Sequence, residues 1–381
     1  MSLAVTDGKI TSVGSAVSVK APPGAQVVDV SGKYVMPGII NLHGHVGLPS
    51  NVAQEQLGTY ARYGVTTVVS LGTDLDEMFD VRAAQGGRPN VARLYTAGRG
   101  FILKTAAPNP TRFAIDSVAE VKPRIDELAA KKADFVKVWV DDNFGRGQKL
   151  SPDITSTIIS EAHKHGIKAV AHIVNLSDAK QLIAAGLDGL AHSVRDKEVD
   201  AELIGAMKQR GAWQMAPTLT REISTYIYAE RPKFLDEPFF TRGTPAGGIE
   251  QVTNPQFMNR MKNDPDFERN RGLLVMAKRN LKKLSDAGVK LGFGTDTGPT
   301  GRFQGYFEHM EMELMVEAGL TPMQVIAAAT KSGAEFLGAR DRGTLEAGKW
   351  ADLIVMTKNP LEDIRNTKSL EAVWIAGKLV K

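Results

Sequence analysis

Four of the chain's seven histidines fall where short apolar runs end. In Gly38-Ile39-Ile40-Asn41-Leu42-His43-Gly44-His45 two imidazoles lie two positions apart. On an extended chain such a pair points to one side, and together the rings can grip one metal ion. Taken alone, a His-x-His pair is more often structural than ligating. Two further histidines close comparable runs: His172 ends Ala169-Val170-Ala171-His172, and His192 ends Leu187-Asp188-Gly189-Leu190-Ala191-His192. Core histidines bonded to backbone are the bland alternative, and four of them at equivalent strand ends argue against it.

Lys137 stands out next. Alternation through Asp134-Phe135-Val136-Lys137-Val138-Trp139-Val140 puts Phe135, Lys137 and Trp139 on one strand face, so the lysine points inward. A buried ammonium either finds a carboxylate or gives up its charge. A neutral amine can take up carbon dioxide as a carbamate, an anionic ligand with two oxygens, whereas a lysine reaching a rim carboxylate explains the residue equally well. Asp296 closes Val289-Lys290-Leu291-Gly292-Phe293-Gly294-Thr295-Asp296 among small residues that let a ligand approach. Its ordinary alternative is a helix N-cap or loop carboxylate.

These residues need a scaffold that brings strand ends together. Eight candidate strands, at 35–43, 65–71, 91–97, 134–140, 167–174, 187–193, 212–218 and 289–296, alternate with helix-like stretches such as 116–131, 152–165 and 177–185. That rhythm predicts an α/β chain built as a (β/α)8 TIM-like barrel, whose active sites sit at the C-terminal strand ends. No Gly-x-Gly-x-x-Gly follows an early strand, which disfavours a dinucleotide fold. Residues 1–36 and 344–381 read as β, with turns at Asp7-Gly8 and Ala376-Gly377 and a strand at 25–30. They predict a small β-sandwich domain formed by both chain ends, around a barrel of 37–343. Residues 219–275 break the rhythm, and their aromatic and Pro content predicts an insertion over the barrel mouth.

Composition narrows the function. The chain has 381 residues, 43% hydrophobic and 24% charged, with no apolar run of membrane-spanning length. Its 47 basic and 43 acidic side chains leave a net charge of +4 with the signs interspersed. Lys278, Arg279, Lys282 and Lys283 have the spacing of a solvated helix face, so neither nucleic acid nor membrane is an expected partner. A small molecule is, and a homo-oligomer is compatible with the sequence. Without a single cysteine there is no thiol nucleophile, iron–sulfur cluster or disulfide, which suits the cytoplasm without excluding the periplasm. The first residues carry no signal-peptide pattern, and their abrupt β start reads as a trimmed or mature form.

The full array, His43, His45, Lys137, His172, His192 and Asp296, resembles the amidohydrolase superfamily of metal-dependent hydrolases. It looks most like the two-metal, carbamylated-lysine branch with Xaa-Pro dipeptidases and imidazolonepropionase-like proteins. The opening Val35-Met36-Pro37-Gly38, the Gly294-Thr295-Asp296 strand and the return through Gly343-Thr344-Leu345-Glu346-Ala347-Gly348-Lys349-Trp350-Ala351-Asp352 carry the likeness over nearly the whole chain. The resemblance implies that His43, His45 and Asp296 hold one divalent ion and His172 and His192 a second, with carbamylated Lys137 bridging them. Zinc suits these ligands, with manganese, cobalt and iron as alternatives. It further implies that a metal-bridged hydroxide hydrolyses an amide, peptide or cyclic-amide C–N bond, Asp296 shuttling the proton. Deaminases of the superfamily carry a Glu three residues after the fifth-strand histidine, and here Asn175 stands there. A catalytically silent scaffold relative would be expected to lose ligands, and all six are present. For a substrate carboxylate, Arg195 is the expected fork, against a salt bridge to Asp196 or Asp188. Tyr228 on the insertion is expected in the pocket wall, with Arg302 and His309 as weaker candidates. His163 and His165 end a helix and read as surface residues.

Overall fold

The computed structural model describes residues 1–21, 23–85, 90–105, 107–244 and 246–381. The chain opens with an antiparallel hairpin of β1 (Ser2–Thr6) and β2 (Lys9–Gly14). Its turn places Asp7 at φ 50° and Gly8 at φ 78°, the positive values a tight two-residue hairpin needs. The expected strand at 25–30 does not form: Val27 and Val28 stand exposed, and Val30 packs against the core of Ile10, Ala351, Leu353 and Val355 without entering a ladder. β3 (Tyr34–Pro37) then leads into the parallel core.

β4 (Ile39–Gly44), β5 (Val65–Ser70) and β6 (Arg93–Thr96) form one parallel sheet in that order. β7 (Phe101–Leu103), β8 (Phe113–Ile115), β9 (Phe135–Trp139), β10 (Lys168–His172), β11 (Gly189–Leu190), β12 (Trp213–Gln214) and β13 (Lys290–Leu291) form a second, seven-stranded one, ordered β13-β12-β11-β10-β9-β7-β8. The short parallel pair β7–β8 has no counterpart in the expected strands, since three residues carry too little periodicity to read. The two sheets exchange backbone hydrogen bonds on both sides. Leu42 N–H donates to Phe293 O at 2.8 Å and Thr295 N–H to His43 O at 3.1 Å, while Asp134 N–H donates to Thr96 O at 2.9 Å and Gly100 N–H to Gly72 O at 2.8 Å. The expected strands at 187–193, 212–218 and 289–296 keep only two-residue ladders, with single backbone bonds such as Gly292 N–H to Gln214 O continuing beyond them.

Helices pack on these strands through single apolar stripes. Helix Pro152–Lys164 shows the logic: Ser151 accepts from Ile154 N–H, Pro152 fits the first turn, and Ile154, Ile158, Ile159 and Ala162 are buried on one face. Each such isoleucine contributes about 1.5–3 kcal/mol by burial. On helix Phe267–Asp286 the basic cluster is indeed a solvated face, with Lys278 paired to Glu317, Lys282 to Asp286 and Lys283 to Glu198. Among the described residues no helix is long and apolar enough to cross a membrane.

The chain ends meet in an antiparallel sheet ordered β16-β15-β14-β3, adding β14 (Leu353–Met356), β15 (Leu370–Ile375) and β16 (Lys378–Leu379). The first hairpin is tied to it through Ala351 N–H to Gly8 O, and Ile10 shares a core with Ala351, Leu353 and Val355. Residues 219–275 are mostly helical. Their Tyr228, Phe234 and Phe240 pack with Tyr63, Tyr306 and Phe307 into an aromatic core of their own.

Candidate active site

A cavity of about 520 Å³ opens where the parallel strands end. His43, His45, His172, His192 and Asp296 all line it. Ligand-capable atoms of His43, His192 and Asp296 lie within 4.8 Å of one another. Asp296 Oδ1 is 3.6 Å from His43 Nε2 and 2.8 Å from His45 Nε2, so the two histidines two positions apart do reach one point. The His172 and His192 rings meet edge to face at 4.2 Å between centroids.

Partners behind the rings decide which nitrogen faces the cavity. His43 Nδ1–H donates to the Ala191 carbonyl at 2.9 Å, which leaves Nε2 as the lone pair. The Thr218 hydroxyl donates to Pro217 O, so it must accept from His192 Nδ1–H, which again leaves Nε2 free. His172 is turned the other way: Nε2–H donates to Asp141 at 3.0 Å, and Nδ1 has no partner among the described residues. His45 Nδ1 meets Thr73 Oγ1 at 3.1 Å. Burial pushes His43 and His192 well below the usual imidazole range and His172 down to about 4, so all three rings are neutral and able to ligate.

Asp296 sits at φ 59°, a left-handed backbone uncommon for a residue with a side chain. Its neighbours hold it there. Thr297 Oγ1 donates to Glu308, Asn41 Nδ2 donates to Glu308 and to Thr295 Oγ1, and Tyr60 meets Thr297 at 2.7 Å. Burial opposes its charge, but the Arg302 guanidinium on Oδ2 and the hydrogen bond from His45 Nε2 hold the carboxyl well below its usual range.

Lys137 does point inward from β9. Its Nζ is fully buried and has no hydrogen-bond partner among the described residues, so the rim carboxylate that would explain it otherwise is absent there. Burial, with Arg112 adding to it and Asp296 opposing, pulls the amine down to about 7. Two glycines make the room: a Cβ on Gly72 would stand 2.6 Å from Lys137 Cγ, and one on Gly100 would stand 2.8 Å from Lys137 O.

Two expected substrate contacts are placed elsewhere. Arg195 is buried, its Nε 3.1 Å from Glu222 and its Nη1 donating to the Ile173 and Ser193 carbonyls, and it does not line the cavity. Its partner is neither Asp196 nor Asp188, since Asp188 pairs with His163. Tyr228 is buried in the aromatic core and donates to Gly301 O, so it supports the loop before Arg302 instead of facing a substrate. Of the 219–275 segment, Arg221 lines the cavity, while Tyr228, Phe234 and Phe240 pack into their own aromatic core. His309 is also buried, between Tyr63 O and Thr367. The cavity wall that sequence reasoning missed includes Asp74, Arg112 with Trp139, and Arg221. Arg221 could have been found, being three residues beyond the Met215-Ala216-Pro217-Thr218 strand end; Arg112 carries no such mark.

Residues 34–380 match the sequence model of the amidohydrolase family. Ochratoxinase of Aspergillus niger is 27% identical over 282 residues, 70% of this chain and 50% of that protein, so the chain spans about half the length of that relative. The 5-methylthioadenosine/S-adenosylhomocysteine deaminase of Bacillus cereus is 23% identical over 362 residues, 87% of this chain and 74% of that one. In three dimensions, a Bifidobacterium longum chain assigned as a prolidase superposes with a TM-score of 0.81 at 25% identity, covering 99% of this chain and 88% of that one. With the family's sequence pattern running from β3 to the end of the last hairpin, this chain belongs to the amidohydrolase family.

Proposed function

We propose that this protein hydrolyses an amide, peptide or cyclic-amide C–N bond in a small molecule with the help of divalent metal. The observation that carries the reading is the convergence of four imidazoles and Asp296 around one cavity, next to a buried lysine amine with no partner. We read the two parallel sheets as one closed (β/α)8 barrel, since they exchange hydrogen bonds on both sides, and the chain ends as a small β domain beside it.

The donor set fits the metals the family implies: the neutral rings of His43, His172 and His192, the His45 ring beside Asp296, an ionised carboxylate and an orphaned amine. His43, His45 and Asp296 would hold one ion, and His172 and His192 the second. Lys137, its amine pulled down to about 7, would add its nitrogen lone pair to carbon dioxide, lose a proton and as a carbamate offer two further oxygen donors to these ions. Zinc suits this set. Bound there, the metals supply an acidified water and polarisation of the substrate carbonyl. Asp296, kept ionised by Arg302, takes the proton from the attacking water and passes it to the leaving nitrogen. Thr218 and Ala191 keep the rings oriented while this happens.

Deamination is disfavoured, although one relative is a deaminase. Asn175 offers no acid, and its amide donates to Asp178. The test is metal analysis of protein prepared with divalent metal and bicarbonate, joined to a screen of N-acyl amino acids, dipeptides, lactams and esters. Two ions per chain, amide turnover and a loss of about 10²-fold in Asp296→Asn are expected. One ion with an unmodified Lys137 would remove the carbamate bridge, and two ions without turnover of any amide would favour a silent relative.

A further inference from the structure

The cavity wall carries three guanidinium groups, and two are engaged. Arg302 pairs with Asp296, and Arg221 pairs with Glu222 at 2.9 Å. Arg112 differs from both in having no ion pair with a carboxylate among the described residues. Its Nε is buried without a hydrogen-bond partner among the described residues, and Asp296 is the one charge acting in its favour. Its guanidinium lies over the Trp139 ring, 4.5 Å from the centroid.

An unpaired, half-buried guanidinium is costly to keep, and stacking on an indole offsets only part of that cost. Stacking also leaves the N–H edges of the group free, and those edges match a planar carboxylate with two parallel hydrogen bonds. The Lys137 amine lies against the same indole at 5.2 Å, so this seat is one side chain away from the ligand cluster. Val46, Leu48, Leu75 and Pro299 also line the cavity, beside the polar Gln56, Thr73 and Asp74, and offer apolar contact to whatever bears the anion.

We propose that Arg112, presented on the face of Trp139, is the carboxylate seat of this cavity and selects amide substrates that carry a free carboxylate beside an apolar group, of the N-acyl amino acid kind. The word substrate rests on the hydrolytic reading above; the seat itself is a binding property and is tested as one.

The test uses the whole metal-loaded protein and two probes without an amide bond, 4-phenylbutanoate and 4-phenylbutanol, titrated by calorimetry and by tryptophan fluorescence. The wild type is expected to bind the acid at least about tenfold more tightly than the alcohol. Arg112→Met should abolish that preference, and Arg112→Lys, which keeps the charge and loses the fork, should retain only part of it. Equal binding of the two probes by the wild type overturns the proposal. So does an acid preference that survives in Arg112→Met with an unchanged near-ultraviolet spectrum, since the anion would then sit on metal or on another arginine. If Arg112→Met does not fold, full acid preference in Arg112→Lys overturns it equally. The two readings fail separately: an acid preference lost in the variants without turnover of any amide keeps the seat and removes the hydrolase, whereas amide turnover without acid preference does the reverse.

Discussion

The Nδ1 of His192 stands 2.8 Å from the Thr218 hydroxyl, and Thr218 meets it from a left-handed backbone at φ 53°. A β-branched residue in that region is strained, typically by 1–3 kcal/mol. The strain places a hydroxyl whose own proton goes to Pro217 O, and that makes His192 the donor and fixes its tautomer. Thr218→Val removes the hydroxyl and keeps the shape. Metal affinity should fall about 10- to 100-fold, as is usual when a ligand's supporting hydrogen bond is lost, while Thr218→Ser should stay close to wild type. Competition with a chelating dye measures both; equal affinities in Val and Ser variants would show that the hydroxyl does not orient the ring.

Lys137 offers a second check. With its amine buried and unpartnered, Lys137→Ala should lower metal content and activity together while the four imidazoles remain. Short carboxylic acids such as formate or propionate should restore part of both, by entering the space left by the side chain. A Lys137→Ala protein with full metal and full activity would make the lysine a packing residue.

How much of this was legible beforehand depended on whether a residue's role is local. The His-x-His pair, His172, His192 and Asp296 could be read because period-2 alternation and strand ends are properties of adjacent residues, and the structure brings those five to one cavity. Lys137 could be read as inward-pointing for the same reason. Arg195 could not be placed, because its partner Glu222 lies on a different element and nothing in the spacing announces the pair. The aromatic content of 219–275 was visible, but whether aromatics face a ligand or each other is decided by Tyr63, Tyr306 and Phe307 from distant segments. Arg112 becomes informative only once Trp139 is seen beneath it.

Tyr228 now carries a different expectation. Its buried hydroxyl donates to Gly301 O, next to Arg302, which pairs with Asp296. Tyr228→Phe leaves that carbonyl unsatisfied and should cost about 1–2 kcal/mol in denaturant unfolding. Because the ring never meets the cavity, kcat/KM should change by a similar factor for substrates with and without a carboxylate. A selective loss for one class would return Tyr228 to the pocket wall.

The last prediction concerns pH. His309 is fully buried and neutral, its Nε2–H donating to Tyr63 O at 2.8 Å and its Nδ1 meeting Thr367 Oγ1 at 2.9 Å. Burial, with Lys368 and Arg242 adding to it and the Tyr63 bond opposing, pushes the ring down to about 4. In the unfolded chain it takes a proton near 6.5. Between those values the unfolded state holds more protons than the folded one, so stability is complete above about pH 6.5 and is lost as the pH falls towards 4, by about 3 kcal/mol at full extent. His43, His172 and His192 titrate in the same direction, so the difference between wild type and His309→Gln isolates this ring. Gln can keep a donor to Tyr63 without a proton to gain, while the Thr367 hydroxyl keeps its own bond to Ile364 O. The variant should be less stable at pH 7 and lose less between pH 7 and pH 5, as read by urea unfolding at each pH. Parallel stability profiles for the two proteins would mean that His309 already carries its proton in the folded state, and that the buried ring is held as a cation by the two oxygens beside it.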